Sequence, residues 1–206
     1  MKEDFLRPPH TLTEWSADAL RTLGVIGVGF ALIWLVPTDA GIAALALPAL
    51  MLPRVLGLRG SFDLAVCSTV LVAAWSNVFD LYRTVPGWDL LLHLVCTGVL
   101  TIITALILTR ADVVAMTRDR GARRRTPLVL APLLALALSA VWEMIEWLGW
   151  AYLSDEIFVT YQDTIGDMVF GGIGGVAAGV ILATASLNRP RSSVDESTNR
   201  SRAGRT

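Results

Sequence analysis

Three pairs of ionisable residues sit inside otherwise apolar sequence: Asp89 with His93, Glu143 with Glu146, and Asp163 with Asp167. Spacings of three or four place each pair on one face of a helix. Asp, Glu and His are ligands for a hard or borderline metal ion, and they are also the side chains that take up and release protons. A charged side chain at the centre of a membrane helix costs about 2.5–3.5 kcal/mol on insertion scales, so such residues are functional candidates by default. The expected cofactor is a divalent metal ion held by some of Asp89, His93, Glu143, Glu146, Asp163 and Asp167, although no closed signature of the H-E-x-x-H kind is present. His93, Glu143, Glu146 and Asp167 are the candidate acid–base groups. Arg83 and Asp80 are candidate contacts for a substrate headgroup, and Asn77 is a further member of the polar network.

Five carboxylates and one imidazole cannot all be charged at short range without compensation. The alternatives are a bound metal, shared protons, a pairing cation such as Arg83, or a purely structural polar cluster. Asp89 and Asp163 have a second reading as helix N-caps. The other acids and His93 lie at least a turn deeper, where capping does not account for them.

These residues need a frame. About 20 apolar residues cross ~30 Å of hydrocarbon, and six windows approach that length: Ala19 to Val36, Ala40 to Leu58, Ser61 to Tyr82, Trp88 to Thr109, Thr126 to Leu153 and Asp163 to Ser186. Thr11 and Glu14 form a capping-box pattern ahead of the first. Pro48, Pro53 and Arg54 make the second the weakest, with a kinked or re-entrant segment as its alternative. The fold expected is an all-α polytopic bundle of about six spans. It comprises an interfacial segment 1–18, a membrane domain 19–186 and a disordered basic tail 187–206.

Basic residues set the direction. Six arginines lie between Arg110 and Arg125 and five follow Asn188. With both stretches in the cytoplasm, and both termini with them, 16 of the 17 basic residues fall inside and only Arg83 outside. Trp34, Trp75, Trp88, Trp142, Trp147 and Trp150 then gather at the outer ends as an aromatic belt. In this orientation the fourth and sixth helices start outside and the fifth ends there, so all three ionisable pairs reach one depth. Asp163, Asp167, Gly171, Gly175 and Gly179 recur at intervals of four, a small-residue ridge that aims the two acids at a neighbouring helix.

The composition agrees: 54% of residues are hydrophobic and 17% charged, against about one quarter charged in soluble domains. A net charge of −1 excludes a general attraction to nucleic acid. Membrane lipids are the expected partners, and oligomeric state is not encoded in any pattern. Cys67 and Cys96 match no metal-ligand spacing and are expected to be packing residues. The start of the chain has no cleavable signal pattern, and no internal repeat stands out.

The strings WDLLLH (Trp88 to His93), WEMIEW (Trp142 to Trp147) and DTIGDMVFGGIGG (Asp163 to Gly175) resemble the three signatures of the YjdF-like bacterial inner-membrane proteins. More distantly they resemble the VanZ-like family. The resemblance covers roughly Ser61 to Ser186. Glu146 stands where VanZ-like proteins usually carry Gln, and Gly171 and Gly172 replace an Asn-Gly-type pair; both differences favour the YjdF-like reading. The resemblance implies a multi-pass protein of the bacterial cytoplasmic membrane, and for VanZ-like relatives a link to glycopeptide resistance and the envelope. It supplies no reaction. The function expected from the residues is a metal-dependent enzyme or binding protein for a lipid or envelope precursor. A small proton- or cation-coupled transporter is the alternative, disfavoured because Leu100 to Leu108, Leu128 to Leu138 and Val176 to Ala183 are almost wholly apolar. A structural membrane subunit is the third reading.

Overall fold

The computed structural model describes residues 5–117, 123–153, 157 and 159–189. Six long helices follow one another: α1 (Leu12–Trp34), α2 (Pro37–Val55), α3 (Gly60–Ser76), α4 (Trp88–Arg110), α5 (Arg125–Tyr152) and α6 (Tyr161–Thr184). Five of them are long and apolar enough to cross a membrane, and α3 is a shorter apolar helix of 17 residues. The protein is thus an all-helical membrane bundle.

Local signals account for the helix limits. The Thr11–Glu14 capping box is formed, with Glu14 N–H donating to the Thr11 hydroxyl at 3.3 Å. Pro37 occupies the first turn of α2, where its missing N–H costs nothing. Pro48 and Pro53 lie inside α2, which is nevertheless one helix, so the second window is no broken segment. The third window is corrected. The helix stops at Ser76 instead of running to Tyr82, because Asp80 adopts a left-handed conformation (φ 52°) that no α-helix continues through. A one-turn helix (Leu81–Thr84) follows, and Gly87, also left-handed at φ 75°, launches α4.

The helices pack as two groups of three. In one, α1, α2 and α3 contact one another; in the other, α6 packs extensively against both α4 and α5, and only a slighter seam joins α3 to α4. Gly175 of the expected ridge on α6, and Gly174 beside it and off that stripe, make the second group possible. A Cβ on Gly175 would lie 2.3 Å from Ala135 Cβ, and one on Gly174 would lie 2.1 Å from the Leu94 carbonyl oxygen. Only glycine permits that approach of backbones.

One end of the bundle is tied together. Leu58 bridges to Asn188, Arg59 N–H donates to the Leu187 carbonyl at 3.0 Å, and Arg189 pairs with Glu14 at 3.1 Å. Arg110 donates to the Leu56 carbonyl and to Asn188. Glu14 and Arg189, near the two ends of the described residues, therefore lie at the same end of the bundle as the α2–α3 turn and the end of α4. Under them lies a sealed apolar core including Leu56, Val66, Ile102, Ile103, Leu106, Met116, Ala131 and Leu182. The tail beyond Arg189 and the middle of the arginine-rich loop lie outside the described residues.

The aromatic belt is only partly as expected. Trp34, Trp147 and Trp150 are exposed on the outside of the bundle. Trp75 instead packs on Gly27, and the Trp88 and Trp142 indoles donate inward, to Ser76 and to Glu146. Cys67 and Cys96 are free and buried.

Candidate metal centre

α4, α5 and α6 bring their ionisable residues to one end of the second helix group, opposite the tied end. His93 lies at its centre. Nε2 is 3.6 Å from Asp89 Oδ1 and 3.9 Å from Asp167 Oδ2, and Nδ1 is 3.7 Å from Glu143 Oε1. Each distance exceeds a hydrogen bond. The imidazole thus faces carboxylates from three helices without bonding to any. His93 and Asp167 are each 1% exposed and Glu143 7%, while Asp89, Glu146 and Asp163 are half-buried nearer the surface.

Burial without bonding defines the site. Both ring nitrogens of His93, both carboxylate oxygens of Asp167 and Oε1 of Glu143 are buried with no hydrogen-bond partner. Buried polar atoms are almost always satisfied, and leaving a carboxylate bare is more costly still. Two overlapping groups could hold a metal ion: Asp89, His93 and Asp167, and His93, Glu143 and Glu146, with the ligand atoms of each group within 4.8 Å of one another. Nitrogen and oxygen donors of this kind suit Zn, Mn, Fe or Mg more than a soft ion.

The surroundings orient the donors. The Trp142 indole N–H donates to Glu146 Oε1 at 2.8 Å, and its ring meets that of His93 edge to face at 5.2 Å between centroids. Neither Asp89 nor Asp163 is an N-cap. Gly87 caps α4, and Thr160 caps α6 through a 3.3 Å bond from Asp163 N–H. Asp163 belongs to neither group; the other five expected ligands fall into the two groups, which share His93.

Asp80 and Arg83 do not reach this centre. Their side chains are each 58% exposed on the one-turn helix before α4, with Arg83 Nε 3.9 Å from Asp80 Oδ1. Asn77 donates to Asp39 at 2.7 Å, fastening α3 to the start of α2 rather than joining the acids.

A second polar cluster escaped the reading of the sequence. Buried Arg21 pairs with Asp63, donates to the Leu50 carbonyl at 2.9 Å and meets Asp18 at 2.7 Å, while Arg54 holds Asp18 from the other side at 2.6 Å. The signal available was Asp18 three residues before Arg21, with Asp63 opening the third window. These residues are fully paired, and they lock α1, α2 and α3 together. Thr97, Thr101 and Ser139, buried below the acids, were missed as well.

A family model matches residues 19–188, and its description is "Predicted membrane protein (DUF2238)". The chain belongs to that family. No curated protein and no solved structure matches it.

Proposed function

We propose that this member of a predicted membrane-protein family binds a divalent metal ion among Asp89, His93, Glu143, Glu146 and Asp167, and uses it on a phosphate-bearing lipid or envelope precursor. One observation supports this above others: an imidazole and two carboxylates from three helices, all buried, face one another without hydrogen bonds. A cation on Nε2 beside Asp89 and Asp167 would leave the Nδ1 N–H, on the other edge of the ring, to donate to Glu143, so one ion and one hydrogen bond would together satisfy these atoms. The metal would polarise a phosphoryl oxygen or activate water. Glu146, half-buried and held by Trp142, is the candidate acid or base for the reacting group.

The orientation in this proposal is that of a multi-pass protein of the bacterial cytoplasmic membrane. The tied, arginine-rich end lies inside and the acidic centre faces outward. Arg83, beside the start of α4 and near Asp80, would lie at the outer end in this orientation, where an anionic headgroup could approach it.

The apolar core between the acids and the tied end argues against a transport path. The test is incubation of protein loaded with Mn, Zn or Mg with vesicles containing phosphorylated lipids, with the lipids then analysed by mass spectrometry. Metal-dependent conversion or retention of one lipid, absent in Asp167→Asn, is expected. Metal binding with neither conversion nor retention of any phosphorylated lipid would refute the assigned substrate class.

A further inference from the structure

The His93 ring has two polar edges, and they do not meet the same groups. Nε2 lies 3.6 Å from Asp89 Oδ1 and 3.9 Å from Asp167 Oδ2, on α4 and α6. Nδ1 lies 3.7 Å from Glu143 Oε1, on α5. The lone pairs of the two ring nitrogens point apart, so an ion bonded to one cannot also bond the other. A neutral imidazole moreover offers one lone pair and one N–H. The groups Asp89–His93–Asp167 and His93–Glu143–Glu146 are therefore rivals for a single ring.

Spacing alone does not choose between them. Donors that share a tetrahedral ion at about 2.0–2.2 Å stand roughly 3.3–3.6 Å apart, and the gaps on both edges are near that value. Unmet charge does choose. Asp167 is 1% exposed, and both of its oxygens are buried without a hydrogen-bond partner. No other carboxylate among the described residues is left so bare. Glu143 has one such oxygen, and the Thr164 side chain, in the first turn of α6, approaches its carboxylate. Glu146 is half-buried and already accepts the Trp142 N–H at 2.8 Å. A buried carboxylate without partners is the group that most needs a cation. The Nδ1 edge needs less, because Glu143 Oε1 is within an ångström of hydrogen-bond range of a ring N–H.

We infer that the ion sits on the Nε2 edge alone, held by Asp89, His93 and Asp167, and that Glu143 is a positioning residue that accepts the Nδ1 proton and does not touch the ion. The inference deepens the metal reading above and rests on it. It divides the site by helix. α4 and α6 hold the ion, and α5 supplies the outer shell, with Glu143 on the ring and Glu146 and Trp142 beside it. An acceptor on the remote nitrogen fixes the tautomer and raises the basicity of the ligating one. Three protein ligands leave a coordination position open, as a site that acts on a substrate requires.

Cobalt(II) titrated into chelator-stripped protein in detergent tests this, because its visible absorption reports the atoms bonded to the ion. Wild type should take up one equivalent. Glu143→Gln should bind about 10–100-fold more weakly, and so purify with little metal, yet at saturation show the wild-type spectrum. Glu143→Ala, which lacks the acceptor, should bind more weakly than Glu143→Gln and give the same spectrum. Asp89→Asn and Asp167→Asn should each change the spectrum at saturation or abolish uptake. A spectrum altered in Glu143→Gln, two equivalents in wild type, or a wild-type spectrum in either Asp variant would overturn the assignment while leaving a metal centre in place. A wild type that takes up no cobalt, zinc or manganese would instead remove the metal reading itself, and this inference with it.

Discussion

At the residue scale, the chemistry turns on whether His93 and its carboxylates carry a cation or protons. Glu143→Gln and Asp167→Asn separate the two by reversing sign. With metal in excess, both variants should be less stable than wild type, because a ligand at 100 times its Kd adds about 2.7 kcal/mol, or about 5–10 °C of melting temperature at this chain length. With chelator present the order should invert, since each amide removes a buried carboxylate that has lost its counter-charge. Melting curves with and without chelator check both signs. Trp142→Phe keeps the ring beside His93 and removes the donor to Glu146. It should weaken metal affinity about 10–100-fold, read from a metal titration. The acids were legible in the sequence because a charge inside an apolar run has few uses. The hydroxyls were not, because Ser and Thr satisfy themselves within a helix and leave no pattern when they do otherwise.

At the element scale, the site depends on how closely α6 approaches α4 and α5. Gly174→Ala would force a methyl against the Leu94 carbonyl and the Gly98 backbone, which cannot yield as a side chain does. Overpacking of this kind costs about 1–3 kcal/mol or more, and it should also lower metal content by spreading the ligands. Gly29→Ala meets nothing within 4 Å and should leave both melting and metal content unchanged. Gly171, Gly175 and Gly179 were legible from their period of four, since small residues at that interval serve close packing; Gly174, off that stripe, was not. The end of α3 was not. Hydropathy runs on past Ser76, and the helix stops on a backbone choice at Asp80 that composition does not reveal.

At the scale of the whole molecule, two three-helix groups carry polar clusters at opposite ends, and among the described residues unmet buried atoms lie in the second group alone. The Arg21–Asp63 cluster is saturated, so its role is to hold the first group together. Asp63→Asn leaves the buried Arg21 guanidinium short of its counter-charge and should destabilise by about 3–5 kcal/mol. The fraction that stays folded should keep its full metal content, measured on monodisperse material after size exclusion. The first two windows predicted these spans without predicting the cluster, because Arg21 and Arg54 were already accounted for by the inside-positive bias. The proposed orientation puts the tied end inside. A cysteine introduced at Thr84 should react with an impermeant maleimide on intact cells, and one at Thr13 only after permeabilisation; native Cys67 and Cys96 are buried and should stay silent.

The most direct measurement is the metal content of detergent-purified wild-type protein beside Glu143→Gln and Asp167→Asn, by elemental mass spectrometry. Near one equivalent of a divalent metal in wild type, lost from both variants while they remain folded, is the predicted result. Metal-free wild type that takes up no divalent ion when it is offered, or variants that bind as wild type does, would contradict the assignment of this centre.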